Sequence, residues 1–202
     1  MKSNLFDFTH EHPLSTQWGK LTPIVCEEVL PGDSWRMNQE VIVKMAPMLR
    51  PAFVRADVHI HTFFVPSRIL WDKWEDFITG GLKGDDASVH PFIKYNETNR
   101  DYFGQKTLAD YLGFPVLKST DGVITGERNI SHMPFRAYTK IVNDWYIDQD
   151  LDSEKDFGFT LSGDSQSVLA QSGSMRFRNM KKDYYTSARP NAKRSEEHTS
   201  EL

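Results

Sequence analysis

The sequence predicts a mainly β fold that carries one strong helix, some shorter helices and long connecting loops. Segments of the first 65 residues alternate apolar and polar side chains with a period of two, which is typical of half-buried strands. Twelve glycines, ten prolines and 12% aromatic residues indicate short elements joined by many turns and packed by large flat side chains. These observations favour a β-rich protein over a helix bundle.

Three strands are predicted before Pro66. Pro31 and Gly32 suit the centre of the turn after the first strand, because proline fixes φ and glycine accepts positive φ. Pro47 and Pro51 mark the next turn, and Pro66 ends the last strand, since proline has no N–H for a ladder. The predicted strands are Lys20–Val29, Trp35–Ala46 and Asp57–Val65.

Two short helices are predicted next, at Trp71–Ile78 and Thr107–Leu112. The first has Trp71 and Trp74 at helical spacing and is followed by Gly80, which supplies a C-terminal stop. The remainder of Leu82–Arg128 has only a weak pattern, which indicates a surface excursion.

Ser131–Leu151 is the strongest helical segment of the chain. Ser131 can cap its start, and Pro134 fits its first turn. Apolar and aromatic residues recur along it at i, i+3, i+7 and i+10, which predicts a buried aromatic face. The residues of this face are Phe135, Tyr138, Val142 and Trp145.

The net charge and the cysteine content restrict the classes of function that the chain can have. The formal net charge of −4 gives no overall attraction to nucleic acid, so any contact with DNA must be local. The single cysteine, Cys26, excludes an intrachain disulfide and a multi-thiolate metal site, and it fits a reducing compartment. The sequence predicts neither a secretory signal nor a membrane span.

Asp57, His59 and His61 alternate along the predicted third strand, so their side chains point to one side. A carboxylate with two imidazoles could hold zinc or iron, as in a metal-dependent enzyme. The alternative is that they form the outer or interface face of the strand, because no further histidine or glutamate sits at an obvious partner spacing. We adopt the alternative, and expect no metal, no cofactor and no catalytic residue.

A basic, aromatic stretch at Met175–Arg189 is the candidate nucleic-acid contact. Guanidinium, ammonium and phenol groups together are typical of single-stranded nucleic-acid contacts, where phosphates pair with cations and bases stack on rings. The alternative is a basic helix packed on the protein itself. The candidate DNA-contact residues are Arg176, Arg178, Lys181 and Lys182.

Six runs, in order between residues 6 and 188, together resemble the major capsid protein of microviruses, particularly of the gokushovirus branch. The first two resemble the family's opening arm and its first strand and turn. The runs are Phe6–His12, Ile24–Asp33, Phe63–Arg68, Trp71–Gly81, Pro134–Tyr138 with Asn143–Trp145 and Asp148–Gln149, and Lys182–Ala188.

The resemblance implies an antiparallel jelly-roll core with inserted helices and long loops. It implies a structural protein of a T=1 icosahedral virion, not an enzyme, that assembles in the bacterial host cytoplasm. The implied partners are further copies of the chain, other phage structural proteins and a packaged single-stranded DNA genome, with no membrane. Residues 1–190 are then the N-terminal part of one jelly-roll domain, with loop insertions at about 82–130 and 152–174 and with later strands missing.

The end of the chain departs from the family pattern. Arg194–Leu202 resembles translated sequencing-adapter DNA joined to a truncated reading frame. Residues 191–202 are therefore expected to be a non-native tail that packs poorly.

A shell protein works through broad contacts between copies, so its packing anchors are the residues of interest. Large aromatic side chains contribute most at cores and interfaces, and the sequence does not separate the two destinations. A lectin-like sandwich that binds sugar through exposed aromatics is a second rival, beside the metal-dependent jelly-roll enzyme. The expected anchors are Trp71, Trp74, Phe135, Tyr138 and Trp145.

Overall fold

The computed structural model describes residues 5–51, 53, 55–95, 101–115, 128–148, 152, 175–181 and 184–185. The predicted insertion at about 152–174, except Asp152, and the predicted tail at 191–202 lie outside these residues. The chain divides into two units, one made of Met1–Cys26 with Val65–Leu202 and the other of Glu27–Phe64.

The unit Glu27–Phe64 contains no helix or strand among its described residues. The predicted turn is present: Gly32 has a φ of 93°, and the Asp33 amide donates to the Leu30 carbonyl at 3.1 Å. The segments predicted as strands at Trp35–Ala46 and Asp57–Val65 are assigned neither strand nor helix here, and most of their residues are exposed. An alternating pattern buries its apolar face only where another layer covers it.

The other unit begins its regular structure with two short helices, α1 (Ser67–Leu70) and α2 (Trp74–Thr79). The sequence predicted one helix over Trp71–Ile78, but Trp71 has extended backbone and separates the two. The predicted stop is confirmed, since Gly80 has left-handed backbone and its N–H donates to the Asp76 carbonyl at 2.7 Å.

A two-stranded antiparallel sheet and a third helix follow. Strand β1 (Phe92–Tyr95) pairs with β2 (Arg128–Ser131) in a register that sets Ile93 opposite Ile130. Between them in sequence lies α3 (Leu108–Tyr111), where Thr107 caps the start by accepting from the Asp110 amide at 3.5 Å. The predicted helix at Thr107–Leu112 is thus confirmed by a cap and an apolar turn.

The longest helix, α4 (Met133–Trp145), begins two residues after its predicted start and ends six before its predicted end. Pro134 lies in the first turn as predicted, and the Ser131 hydroxyl accepts from the Met133 amide at 3.3 Å. The helix closes where the Tyr146 and Ile147 amides both donate to the Val142 carbonyl.

The core of this unit lies against α4. Phe114 stacks on Phe135 with ring centroids 5.1 Å apart, and Phe103 meets the same ring edge-on. Two of the seven core residues, Ile93 and Phe103, come from the part of Leu82–Arg128 that was predicted to be a surface excursion, so that prediction is corrected for them. Ile93 lies in a strand and Phe103 in a short turn of 3-10 helix, so the two share no single period. The core residues are Ile93, Phe103, Leu108, Ala109, Phe135, Tyr138 and Val142.

Candidate functional site

The structure places the predicted aromatic anchors in different environments. Trp71, Phe135 and Tyr138 are buried, and Trp74 is half-buried. Trp71 packs on Phe77 with ring centroids 5.4 Å apart, and its indole N–H is buried with no hydrogen-bond partner among the described residues. Trp71, Phe135 and Tyr138 are thus packed within the chain itself.

Trp145 is 69% exposed, so its predicted place on the buried face of α4 is wrong. The buried arc of the helix also includes Arg136, Thr139 and Asn143. With these polar residues included, the centre of the buried arc lies about 100° around the helix axis from Trp145, since each residue turns the helix by about 100°. Trp145 also ends the helix, where fewer neighbours can cover it.

Arg136 and His132 form a buried polar pair that the sequence did not indicate. Arg136 Nη1 donates to the Leu70 carbonyl at 2.9 Å, which ties α4 to the end of α1. Arg136 Nε donates to His132 Nδ1 at 3.3 Å. Because an arginine nitrogen can only donate, Nδ1 is the acceptor and His132 is neutral.

Burial sets the protonation of both groups in this pair. Desolvation, and then the positive charge of Arg136, lower the pKa of His132 to about 3. Desolvation also lowers the pKa of Arg136 to about 10, although the carboxylate of Asp72 opposes this. The arginine is therefore charged and the histidine neutral at neutral pH.

Residues 175–181 of the basic stretch contain no helix, which differs from the alternative interpretation, and they form a β-bridge at Phe177. It pairs with a segment far away in sequence. Lys20 forms an antiparallel bridge with Phe177, flanked by hydrogen bonds from the Leu21 amide to the Arg176 carbonyl at 2.9 Å and from the Arg178 amide to the Gly19 carbonyl at 2.7 Å. Within the predicted strand Lys20–Val29, Lys20 is the one described residue that forms a β-bridge.

This pairing adds a cation that the sequence did not assign to the site. Lys20 Nζ lies 5.6 Å from the centroid of the Phe177 ring. Arg176 is half-buried, whereas Arg178 and Lys181 are exposed. The fourth predicted DNA-contact residue, Lys182, lies outside the described residues. Arg176 and Arg178 thus flank the bridge between Lys20 and Phe177, and Lys181 lies four residues beyond Phe177 on the same stretch.

Tyr138 fastens this paired segment to α4. Its hydroxyl donates to the Leu21 carbonyl at 2.9 Å and accepts from the Arg176 amide at 2.8 Å. Desolvation raises the pKa of Tyr138 to about 12, so the phenol stays protonated and keeps its donor at neutral pH.

A cavity of about 270 Å³ lies between the end of α4 and the basic stretch. Three polar residues, Asp152, Arg176 and Asn179, contribute to its lining. Its apolar walls are formed by Val142, Ile147, Met175 and Phe177.

Asp57, His59 and His61 are exposed and lie in neither a helix nor a strand. Asp57 makes an ion pair with Arg55 at 2.9 Å, and the two histidine rings have centroids 6.2 Å apart. Among the described residues no three His, Cys, Asp or Glu side chains are grouped as metal ligands. Within the same part of the chain, no helix is long and apolar enough to cross a bilayer.

Comparison with known proteins gives consistent matches. Residues 1–200 match the family described as capsid protein (F protein). Capsid protein VP1 of Chlamydia phage 1 is 29% identical over an alignment of 208 residues, gaps included. The alignment covers 94% of this chain and 33% of that protein. Capsid protein VP1 of Bdellovibrio phage phiMH2K is 34% identical over 131 residues, or 65% of this chain and 23% of that protein.

A third relative, capsid protein VP1 of Spiroplasma virus 4, is 27% identical over 183 residues, which cover 85% of this chain and 31% of that protein. The chain thus spans a third or less of the length of these relatives.

Proposed function

The chain belongs to the capsid protein (F protein) family, and we propose that it is a segment of the major capsid protein of a microvirus-type bacteriophage. The observation that carries the proposal is the family match over residues 1–200. Its role is structural and not enzymatic. It takes part in a multi-copy shell, with a virion as its final location and the host cytoplasm as its place of assembly.

The proposed fold of the complete protein is an antiparallel jelly roll. In it, residues 1–190 contribute to one domain, and the regions of about 82–130 and 152–174 are insertions. The exposed alternating segments of Glu27–Phe64 support this proposal, because their apolar faces need a covering layer that the described residues do not supply. Relatives roughly three times longer have enough additional chain to provide that layer.

The proposed partners are further copies of the chain, other phage structural proteins and packaged single-stranded DNA. Lys20, Arg176 and Arg178 support the DNA contact because they lie where two segments pair, and Lys181 follows on one of those segments. Lys182 belongs to the proposed contact by its position in sequence.

The test is to express the complete reading frame that contains this segment, together with the other phage structural proteins, and to examine the product by electron microscopy. Closed shells that contain peptides of this segment by mass spectrometry are expected. A product that stays monomeric under these conditions would count against the capsid role.

A further inference from the structure

The cavity at the end of α4 has the size and lining of a site for one flat ring. At about 270 Å³ it lies just below the range of about 300 to 1,000 Å³ that is common for ligand pockets. Val142, Met175 and Phe177 give it apolar walls, while Asn179 and Asp152 add polar groups to the lining. An aromatic heterocycle with hydrogen-bonding edges fits this combination.

The paired segments beside the cavity carry the positive charge that favours a polyanion as the carrier of that ring, although the lining itself includes the acidic Asp152. Residues 17–22 and 175–181, which the Lys20–Phe177 bridge joins, contain four cationic side chains and no acidic one. The cations are Lys20, Arg176, Arg178 and Lys181. A free sugar could use the apolar walls and the amide, but it would gain nothing from these four charges.

We propose that this cavity binds one unstacked base of single-stranded DNA, while Lys20 and Arg178 contact the flanking phosphates. The Phe177 ring stacks on the base, and Lys20 Nζ on the paired segment lies 5.6 Å from the centroid of that ring. This inference rests on the proposed DNA partner and adds to it a base-binding site.

The polar lining also predicts a base preference. A carboxylate accepts several hydrogen bonds at once, so Asp152 can accept one from an exocyclic amino group in addition to those it already makes. Cytosine carries such a group and thymine does not. Asn179 supplies both a donor and an acceptor for the remaining edge of the base. Oligo-dC should therefore bind more tightly than oligo-dT.

The experiment compares three labelled single strands of equal length, oligo-dC, oligo-dT and an abasic strand that keeps the phosphates without bases. The full 202-residue chain is carried on maltose-binding protein, with the carrier alone as the blank, and the Kd values are measured by fluorescence anisotropy. We expect oligo-dC to bind at least about tenfold more tightly than the abasic strand, since stacking contributes about 1 to 3 kcal/mol per base.

Variants of Phe177 assign the effect to the cavity. Phe177→Ala should remove the advantage of oligo-dC over the abasic strand, and Phe177→Tyr should restore it because the ring returns. Phe8→Ala is the matched control, since Phe8 is 57% exposed and Phe177 58% exposed. If the circular dichroism spectrum shows that Phe177→Ala is unfolded, Phe177→Leu is measured instead. Leucine keeps an apolar side chain in the cavity wall but has no aromatic ring for stacking.

Arg178→Ala tests the phosphate contact separately. It should weaken the binding of all three strands by the same factor. The slope of log affinity against log salt concentration should fall by the amount of about one phosphate contact. Equal Kd values of the wild-type protein for oligo-dC and the abasic strand would overturn the base site while leaving the charge contact in place. Failure to bind any strand would overturn both, and the assembly test above would still decide the capsid role.

Discussion

The guanidinium of Arg136 is buried between two acceptors, the Leu70 carbonyl and His132 Nδ1. Arg136→Ala leaves both acceptors without this donor, and we expect the free energy of unfolding to fall by about 3 kcal/mol. Urea unfolding followed by tryptophan fluorescence measures the loss. Arg55→Ala is the control, because its ion pair with Asp57 is exposed and should contribute less than about 1 kcal/mol. Equal losses in the two variants would contradict the buried role.

The protonation of His132 predicts a pH dependence of stability. Its pKa is about 3 in the folded chain and about 6.5 when unfolded. Between these values the unfolded state binds the extra proton, so the free energy of unfolding falls as the pH falls from 6.5 towards 3. The difference corresponds to at most roughly 5 kcal/mol.

Urea unfolding across this pH range, for the wild type and for His132→Gln, isolates the contribution of the histidine. Glutamine keeps an acceptor for Arg136 but does not titrate, so the variant should lose less stability on acidification. The same pH slope in both proteins would show that His132 contributes nothing to it.

These two residues also show why single buried polar groups escape sequence analysis. Arginine and histidine are seldom fully buried, and the period that identified Phe135 and Tyr138 concerns apolar residues only. Arg136 is buried because the Leu70 carbonyl, 66 positions earlier in the chain, needs a donor. A partner that distant leaves no local pattern. The composition of the basic stretch identified the cationic residues at 176, 178 and 181 as a candidate contact. Lys20 was not identified, because it lies far away in sequence.

At the scale of elements, the end of α2 depends on a glycine that cannot be replaced freely. Gly80 has a φ of 81°, and an added Cβ would lie 3.3 Å from the backbone of Gly84. Gly80→Ala should therefore combine the left-handed backbone cost with a close contact and destabilise by about 2 kcal/mol.

Gly84 supplies a matched control for this glycine. It has a similar φ of 73° but nothing within 4 Å of an added Cβ. Gly84→Ala should cost only about 1 kcal/mol. Thermal unfolding of the two variants measures the difference, and equal melting temperatures would show that the contact with Gly84 relaxes without cost.

The hydroxyl of Tyr138 joins three segments, and its removal should loosen two of them together. Tyr138→Phe keeps the ring in the core but leaves the Leu21 carbonyl and the Arg176 amide without this partner. We expect a loss of about 1 to 3 kcal/mol and faster hydrogen exchange at the Arg176 amide. Tyr184→Phe is the exposed control and should change neither quantity. Unchanged exchange at Arg176 in Tyr138→Phe would contradict the contact.

Helices and strands differed in how far the sequence predicted them. The residues from Leu108 to Tyr111 and the core of α4 were predicted closely, because caps, glycine stops and apolar spacing within a few residues specify a helix. The pairing of Lys20 with Phe177 was not predicted, since a bridge across so many residues depends on tertiary contacts. For the same reason an alternating segment such as Trp35–Ala46 shows which side chains share a face but not whether anything covers that face.

At the scale of the whole molecule, the helical core and the unit Glu27–Phe64 should differ in local stability. Amides between Phe135 and Val142 lie in a helix packed on a buried core and should exchange slowly. Amides at Val41–Met45 lie in exposed residues without a ladder and should exchange at nearly the unprotected rate. Hydrogen exchange with mass spectrometry of the 202-residue chain measures both regions in one experiment.

The same measurement on assembled shells tests the proposed jelly roll. Covering apolar area contributes about 25 cal/mol per Å², so the exposed side chains of Val41, Val43 and Met45 should gain a packed layer once the rest of the shell protein is present. We therefore expect Val41–Met45 to become protected in the shell by several orders of magnitude, while Phe135–Val142 changes little. Protection that already exists in the 202-residue chain would show that the unit has its own ladder. Fast exchange that persists in the shell would show that the alternating pattern faces solvent, and the jelly-roll assignment of these strands would then be wrong.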